Sequence, residues 1–207
     1  MIEIQKKIEI KHHKQLLVEG VDEAKFFVQL LDYMHVSDVQ VIPYKGKDNH
    51  KEFKNIFQTP NFPNIVVSIG IIRDADENDP ISAFQSICNA LKQLSIAQPD
   101  KMNVFTDAKP RIGIFILPDC KNSGMIEDIL LNSLNEKPEM ECVDSFLTCM
   151  KKYNCEFKNP AKNRIKSWLA SRKEVDYGLG LGISAEKKYW YFDHPAFSEL
   201  ANFIKNI

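Results

Sequence analysis

The feature that most constrains this chain is a largely apolar run over residues 65–72 that ends abruptly in acidic residues. Asp74, Asp76 and Glu77 follow it within five positions. A β-branched run bounded by turn-forming residues is typical of a buried strand in a parallel sheet. The polar end of such a strand lies at the carboxyl edge, where open α/β folds place their ligands. The sequence therefore predicts a sheet whose carboxyl edge carries Asp74 and its neighbours.

Asp74 and Asp76 are two positions apart, so on an extended chain their carboxylates point the same way, about 7 Å apart. Two carboxylates held that close are costly unless one is protonated or a cation bridges them, and Mg²⁺ favours such oxygen ligands. The pair therefore indicates a divalent-metal site. A solvated turn at the end of the strand explains the same residues, and the segment by itself does not decide between the two.

Strands and helices alternate along the rest of the chain. Apolar segments at 14–19, 39–44 and 110–119 resemble the strand at 65–74, and residues between them have helical spacing. Helices are predicted at 21–31, 51–57, 80–94, 125–131, 139–153, 160–171 and 195–207. Residues 188–192 are left open as a short strand or a buried turn. This alternation predicts an α/β fold, with a largely parallel sheet and helices on both faces.

Composition places the chain among ordinary globular proteins, with 44% hydrophobic and 27% charged residues. No apolar run reaches the roughly 18 residues that span a bilayer, and the N-terminus lacks the apolar core of a signal peptide, so we expect a cytoplasmic protein without membrane contact. Five cysteines without CxxC spacing argue against a disulfide scaffold or a zinc site, and indicate reduced, mostly buried thiols.

Charge is unevenly distributed although the formal net charge is only −1. Residues 119–144 carry seven acids and two bases, whereas residues 151–188 carry ten bases and four acids. An acidic centre followed by a basic segment is what a metal-dependent enzyme acting on a polyanion shows, and two ordinary solvated faces show it equally.

Acids recur at three predicted strand ends and at the helix starts beside them. Because parallel strands end at one edge, these side chains are expected to lie at the same side of the sheet. The candidate metal ligands are Glu19 with Glu23, Asp74 with Asp76, and Asp119 with Glu127 and Asp128.

This pattern resembles the TOPRIM fold, the metal-binding domain of topoisomerases, primases and OLD-family nucleases. The matching motifs are Leu17-Val18-Glu19-Gly20 and the Asp74-x-Asp76 pair, and the resemblance covers about residues 12–135. The sequence is more similar to small, uncharacterised bacterial relatives of the OLD nuclease domain. That likeness rests on Glu19-Gly20-x-x-Glu23, on Leu117-Pro118-Asp119 with Gly124–Asp128, and on Tyr189–Pro195. We expect a single domain over 1–207, with a C-terminal helical addition at about 136–207.

The resemblance implies a role for each matching residue. Glu19 would bind a metal or move a proton, and Asp74 and Asp76 would bind Mg²⁺ or Mn²⁺. Glu23 and either Glu127 or Asp128 would fit the acids with which OLD-type nucleases hold a second metal. Residues Glu77–Pro80 stand where a TOPRIM domain usually leads towards a glycine, so the loop after the pair departs from the family pattern.

The function implied is a metal-dependent nuclease acting on DNA or RNA. A non-catalytic module that binds nucleic acid, a nucleotide or a partner protein is the alternative. No GxxxxGK[ST] motif is present, so the chain would act alone or with a partner ATPase. Lysines would contact phosphates or the transition state, with Lys47 and Lys188 as candidates beside Lys45 and Lys187. The apolar helix at 197–204 would pack inside the domain or against a second copy in a homodimer.

Overall fold

The computed structural model describes residues 8–44, 49–173 and 180–207. Four strands form an entirely parallel sheet in the order β2-β1-β3-β4. The strands are β1 (Lys14–Val18), β2 (Val39–Pro43), β3 (Ser68–Asp74) and β4 (Arg111–Leu117). Strands β1 and β3 are therefore central, and their carboxyl ends lie side by side. The predicted α/β fold with a parallel sheet is confirmed.

Helices connect the strands and extend the chain beyond β4. Helix α1 (Val21–Tyr33) follows β1, and α2 (Asn49–Phe57), α3 (Phe62–Ile65) and α4 (Pro80–Gln93) flank β3 along the chain. After β4 come α5 (Ile126–Leu134), α6 (Glu139–Lys152), α7 (Pro160–Ala170), α8 (Leu181–Glu186), a 3₁₀ turn (Pro195–Phe197) and α9 (Ser198–Lys205). Pro80 and Pro160 each occupy the first position of a helix, where the missing N–H costs no hydrogen bond.

The sheet separates two apolar cores, because successive strand residues face opposite sides. Leu16, Val18 and Phe115 pack on one face against α1 and the helices that follow β4. Leu17 and Ile114 pack on the other face against α2, α3 and α4. The C-terminal helical segment is thus part of the larger core and covers one face of the sheet.

Two glycines make room for the C-terminal end of the chain to pack against the middle of that face. Gly70 and Gly113 are paired in register on β3 and β4. A methyl group on Gly70 would lie 2.6 Å from the Ile207 side chain, and one on Gly113 would lie 2.6 Å from the Phe105 ring. Phe105 stacks on Phe203 of α9 with ring centres 5.1 Å apart. The helix predicted over 195–207 therefore packs inside the domain.

Several local predictions were wrong. The strand predicted from residue 65 begins later in the structure. Ile65 is the last residue of α3, and residues 66 and 67 connect α3 to β3. Residues 188–192 form a turn, which is one of the two alternatives left open for them, whereas the short helix α8 was not predicted. The cysteines are free, as expected, but Cys142 and Cys149 are exposed and only Cys88 is fully buried. No helix in the described residues is long and apolar enough to cross a membrane.

Candidate functional site

Acidic side chains meet at the carboxyl edge of the two central strands. Glu19 directly follows β1, and Asp74 is the last residue of β3. Glu23 lies in the first turn of α1 and Glu127 in the first turn of α5, the helix that follows β4. We call Glu23, Asp74 and Glu127 the acidic cluster, because each is buried or half-buried and their charges act on one another.

Asp74 is a buried carboxylate of the acidic cluster, with 9% of its surface exposed. Its Oδ1 accepts a hydrogen bond of 3.1 Å from the Ile126 backbone N–H, at the start of α5. Burial, followed by the charges of Glu23 and Glu127, nevertheless raises the pKa of Asp74 well above its usual value. A single helix-end donor does not compensate the loss of water around this group.

Glu23 shares this environment and is poised to titrate near neutral pH. Its Oε2 accepts a hydrogen bond of 3.2 Å from the backbone N–H of Glu19. Burial, and then the neighbouring charge of Glu19, raises the pKa of Glu23 from 4.5 to about 7. A carboxyl group with such a pKa can accept or release a proton at physiological pH.

Glu127 contains a buried oxygen without a partner. It is 7% exposed, and its Oε2 has no hydrogen bond to any described residue. The other oxygen, Oε1, lies 3.9 Å from Nζ of Lys162 on α7. Burial raises the pKa of Glu127, although the charges of Lys162 and Lys166 oppose that effect. An unsatisfied buried carboxylate oxygen is costly and is free to bind a cation.

Tyr44 supports the acidic cluster from the strand next to it. It follows β2, is 1% exposed, and its hydroxyl donates a 3.0 Å hydrogen bond to the carbonyl oxygen of Ile72 in β3. Burial, and then the charges of Glu19, Glu23 and Asp74, raise the pKa of Tyr44 well above its usual range. The phenol therefore stays neutral beside the carboxylates.

The remaining predicted ligands are placed differently. Asp76 is exposed with φ of 56° and lies beyond the end of β3, although its charge still helps to raise the pKa of Asp74 after burial, Glu23 and Glu127. Its N–H donates to the carbonyl of Gly124. Asp128 accepts a 2.8 Å bond from the Met125 N–H, which caps α5. The expectation that Asp74 and Asp76 share one extended strand was therefore wrong.

Asp119 holds its own loop together. Its carboxylate accepts bonds from the backbone N–H groups of Lys121 (3.0 Å) and Asn122 (2.8 Å), and from the Asn122 side chain (2.7 Å). Burial acts to raise the pKa of Asp119, but these hydrogen bonds outweigh it and lower the pKa below its usual value. Asp119 is thus satisfied without a metal ion.

The lysines whose charges act on Glu127 differ from the predicted ones. Lys188 is exposed in the turn after α8, and Lys45 and Lys47 lie outside the part of the chain that the structure describes. Lys162 and Lys166 take this place instead, one helical turn apart on α7. Both lie in the basic segment 151–188, but no local pattern distinguishes them from its other bases, because α7 reaches Glu127 only through the packing of α5 against α7.

The acidic cluster offers a divalent ion a partial set of ligands. Within the described ranges, no three His, Cys, Asp or Glu side chains converge closely enough to hold an ion by themselves. Mg²⁺, however, usually keeps several waters and binds through one or two carboxylates together with substrate phosphates. The buried oxygen of Glu127 and the raised pKa of Asp74 fit such a partial ligand set.

Comparison with protein families gives one match. The model of the family described as "Protein of unknown function (DUF3226)" matches residues 13–207. No curated protein matches the chain.

Solved structures with a similar fold are C-terminal regions of OLD proteins. That of Burkholderia pseudomallei OLD has a TM-score of 0.52 and 14% identity, covering 95% of this chain and 98% of that one. That of Xanthomonas campestris pv. campestris OLD has a TM-score of 0.48 and 13% identity, covering 94% and 93%. The chain shares the TOPRIM-like fold of the Burkholderia region.

Proposed function

Since the chain belongs to the DUF3226 family and has the fold of an OLD C-terminal region, we propose that it is a divalent-metal-dependent nuclease. The observation that carries this proposal is the acidic cluster. Its three carboxyl groups lie at the carboxyl edge of the central strands, where α/β folds bind their ligands, and burial raises the pKa of each.

The energetics favour a cation at this edge. A shift of the Glu23 pKa from 4.5 to about 7 corresponds to roughly 3 kcal/mol of disfavoured ionisation. A fold that keeps such groups together without donors loses stability for each of them. A bound Mg²⁺ or Mn²⁺ would reverse this cost and displace the protons that the acidic cluster holds.

Asp74, Glu23 and Glu127 would hold the ion, with Glu19 at the margin. The ion would supply polarisation of a phosphodiester and a water acidic enough to attack it. Without the ion Glu23 has a pKa of about 7, so below that pH its proton would have to leave before Glu23 could bind the ion. Tyr44 would keep Ile72 and the end of β3 in place beneath Asp74.

The basic residues of α7 would bind the substrate backbone. Lys162 and Lys166 are exposed, and their charges already act on Glu127. They belong to residues 151–173, which contain eight bases and one acid. A basic surface that leads to an acidic, metal-binding edge suits a nucleic acid, because its phosphates bind the lysines and its scissile phosphate completes the metal ligands.

Metal titration and hydrolysis assays test the proposal. We expect Mg²⁺ or Mn²⁺ to bind wild type by calorimetry and to support cleavage of single-stranded DNA, double-stranded DNA or RNA. Asp74→Asn, which keeps the acceptor for Ile126, should lose at least about 100-fold in rate. Asp119→Asn removes the same charge from a satisfied loop at the same edge and should keep the activity.

Lys162→Gln separates substrate binding from metal binding. It should leave calorimetric metal binding intact while weakening nucleic-acid binding and flattening its salt dependence, because one phosphate contact is lost. Metal binding without hydrolysis of any of the three substrates would favour the alternative, a non-catalytic binding module. If wild type neither binds the metal ions nor hydrolyses any of the three substrates, the proposal is overturned. A partner ATPase and a cytoplasmic location stay predictions.

A further inference from the structure

Helix α6, with the residue that caps its C-terminus, carries an apolar stripe on its outer surface. The stripe consists of Cys142, Phe146, Cys149 and Tyr153, spaced by four, three and four residues. Phe146 is 53% exposed and Tyr153 is 76% exposed, and both cysteines are exposed. We call these four residues the α6 stripe.

The fold itself does not account for the α6 stripe. Helix α6 packs into the core through Met140, Val143 and Leu147, which lie about a third of a turn away from it. The salt bridge of Asp144 with Arg164 attaches α6 to α7 on that inner side. The spacing of the α6 stripe is that of the seam between two packed helices, so the surface fits another helix.

The charges beside the α6 stripe show which helix fits. Glu141 and Lys152 are eleven residues, or about three turns, apart and therefore lie on the same flank. Both are exposed, and neither has an ion-pair partner within the part of the chain that the structure describes. One end of the flank is thus acidic and the other basic. A second copy of α6 in the opposite direction would match both ends at once.

We infer that the α6 stripe binds the α6 stripe of a second copy of this chain, with the two helices antiparallel about a two-fold axis. Phe146 of each copy packs on Cys149 of the other, and Cys142 packs on Tyr153. Glu141 of each copy pairs with Lys152 of the other, so the ion pair occurs twice. In a parallel pair the two copies of this flank would lie on opposite sides of the contact, so neither charge would meet an opposite charge.

The size of the contact sets the strength of the dimer. One pair of helices of this length buries less than the roughly 1,200 Å² of a stable interface, so the dimer is weak and depends on concentration. We expect dissociation constants in the micromolar range, on the order of 10–100 μM.

Sedimentation equilibrium over a range of protein concentrations tests the interface. Wild type should change from monomer to dimer, whereas Phe146→Glu should raise the dissociation constant at least about 30-fold. Ile81→Glu is the matched control, since Ile81 is an equally exposed apolar residue on α4 (50%). A wild type that stays monomeric at about ten times the expected constant, or a Phe146→Glu variant that dimerises normally, overturns the inference.

Charge exchange tests the direction of the helices. Glu141→Lys and Lys152→Glu should each weaken the dimer, and the double variant Glu141→Lys/Lys152→Glu should restore it, because both pairs reform with reversed sign. A double variant as weak as the single ones contradicts the antiparallel pairing.

Alkylation of Cys142 and Cys149 supplies an independent readout. Their labelling should slow as wild type is concentrated, and slow labelling at all concentrations would instead indicate cover from within the same chain.

Discussion

Two sets of carboxylates lie around the central sheet, and they differ in what surrounds them. The acidic cluster of Glu23, Asp74 and Glu127 has few donors, and burial raises the pKa of each member. The second set, which we call the capping acids, accepts hydrogen bonds from backbone N–H groups. It comprises Asp22, Asp79, Asp119 and Asp128, which bind the N–H groups of α8, α4, the loop after β4 and α5.

The comparison shows that position in the fold does not by itself indicate a functional acid. Asp74 ends β3 and Asp119 follows the neighbouring strand β4, yet burial raises the pKa of the first and hydrogen bonds lower that of the second. A satisfied carboxylate stabilises the fold, whereas a buried one without donors destabilises it until a cation or a proton arrives. Removing charge should therefore have opposite effects on stability in the two sets.

The largest effect is expected for Glu23→Gln. Below pH 4.5 the carboxyl group is protonated in both the folded and the unfolded chain, so the free energy of unfolding carries no penalty. Between pH 4.5 and 7 only the unfolded chain ionises, so wild type loses stability as pH rises, by roughly 3 kcal/mol above pH 7. Urea unfolding in metal-free buffer from pH 4.5 to 8 should show this slope in wild type and a flatter one in Glu23→Gln. Equal slopes would contradict the description of the acidic cluster.

A smaller effect of opposite sign is expected for Asp119→Ala. The variant loses three hydrogen bonds within the loop and should unfold with about 1–2 kcal/mol less free energy at pH 7. Because the folded pKa of Asp119 lies below its usual value of 3.8, this stabilisation is present above about pH 3.8 and is lost as pH falls through the folded pKa. Chemical denaturation of wild type and variant at pH 7 and pH 3 measures both the loss of stability and its dependence on pH. Asp119→Asn, which keeps an acceptor, should be milder.

The smallest effect is expected for Asp22→Ala. Asp22 accepts bonds from the N–H groups of Leu181 (2.7 Å) and Gly182 (3.1 Å), and so attaches α8 to α1. Its loss should cost about 1 kcal/mol and should mainly accelerate amide hydrogen exchange in residues 181–186. Exchange measured by mass spectrometry on peptides from α8 and from α5 checks that the effect is local. Faster exchange in both helices would mean that Asp22 stabilises the whole domain.

The sequence predicted the sheet and the elements around it because apolar periodicity and proline positions act locally. It placed Glu19, Glu23, Asp74 and Glu127 at one edge because the strands are parallel. It did not separate these from Asp119 and Asp128, since the hydrogen bonds that satisfy an acid depend on loop geometry. The left-handed backbone conformation of Asp76 could not be predicted either, because no residue pattern at positions 74–76 indicates it.

Contacts between distant segments were beyond sequence reasoning. Tyr44 joins the acidic cluster only because β2 lies beside β1, which brings its hydroxyl to Ile72. Lys162 reaches Glu127 only because α7 packs on α5. The prediction of Lys188 rested on its nearness to the aromatic tail, and that tail packs into the core through Trp190 and Phe192.

The paired glycines of β3 and β4 have a kinetic consequence. Gly70 and Gly113 leave room for the side chains of Ile207, Phe203 and Phe105, so the larger core is completed by segments far apart along the chain. Such a core cannot form gradually from neighbouring residues. Closing the long loops costs conformational entropy, and that cost comes before these contacts can offset it. We therefore expect the sheet to stay uncovered on one face until late in folding. During that interval the central strands, which later present the acidic cluster, are the part most exposed to aggregation.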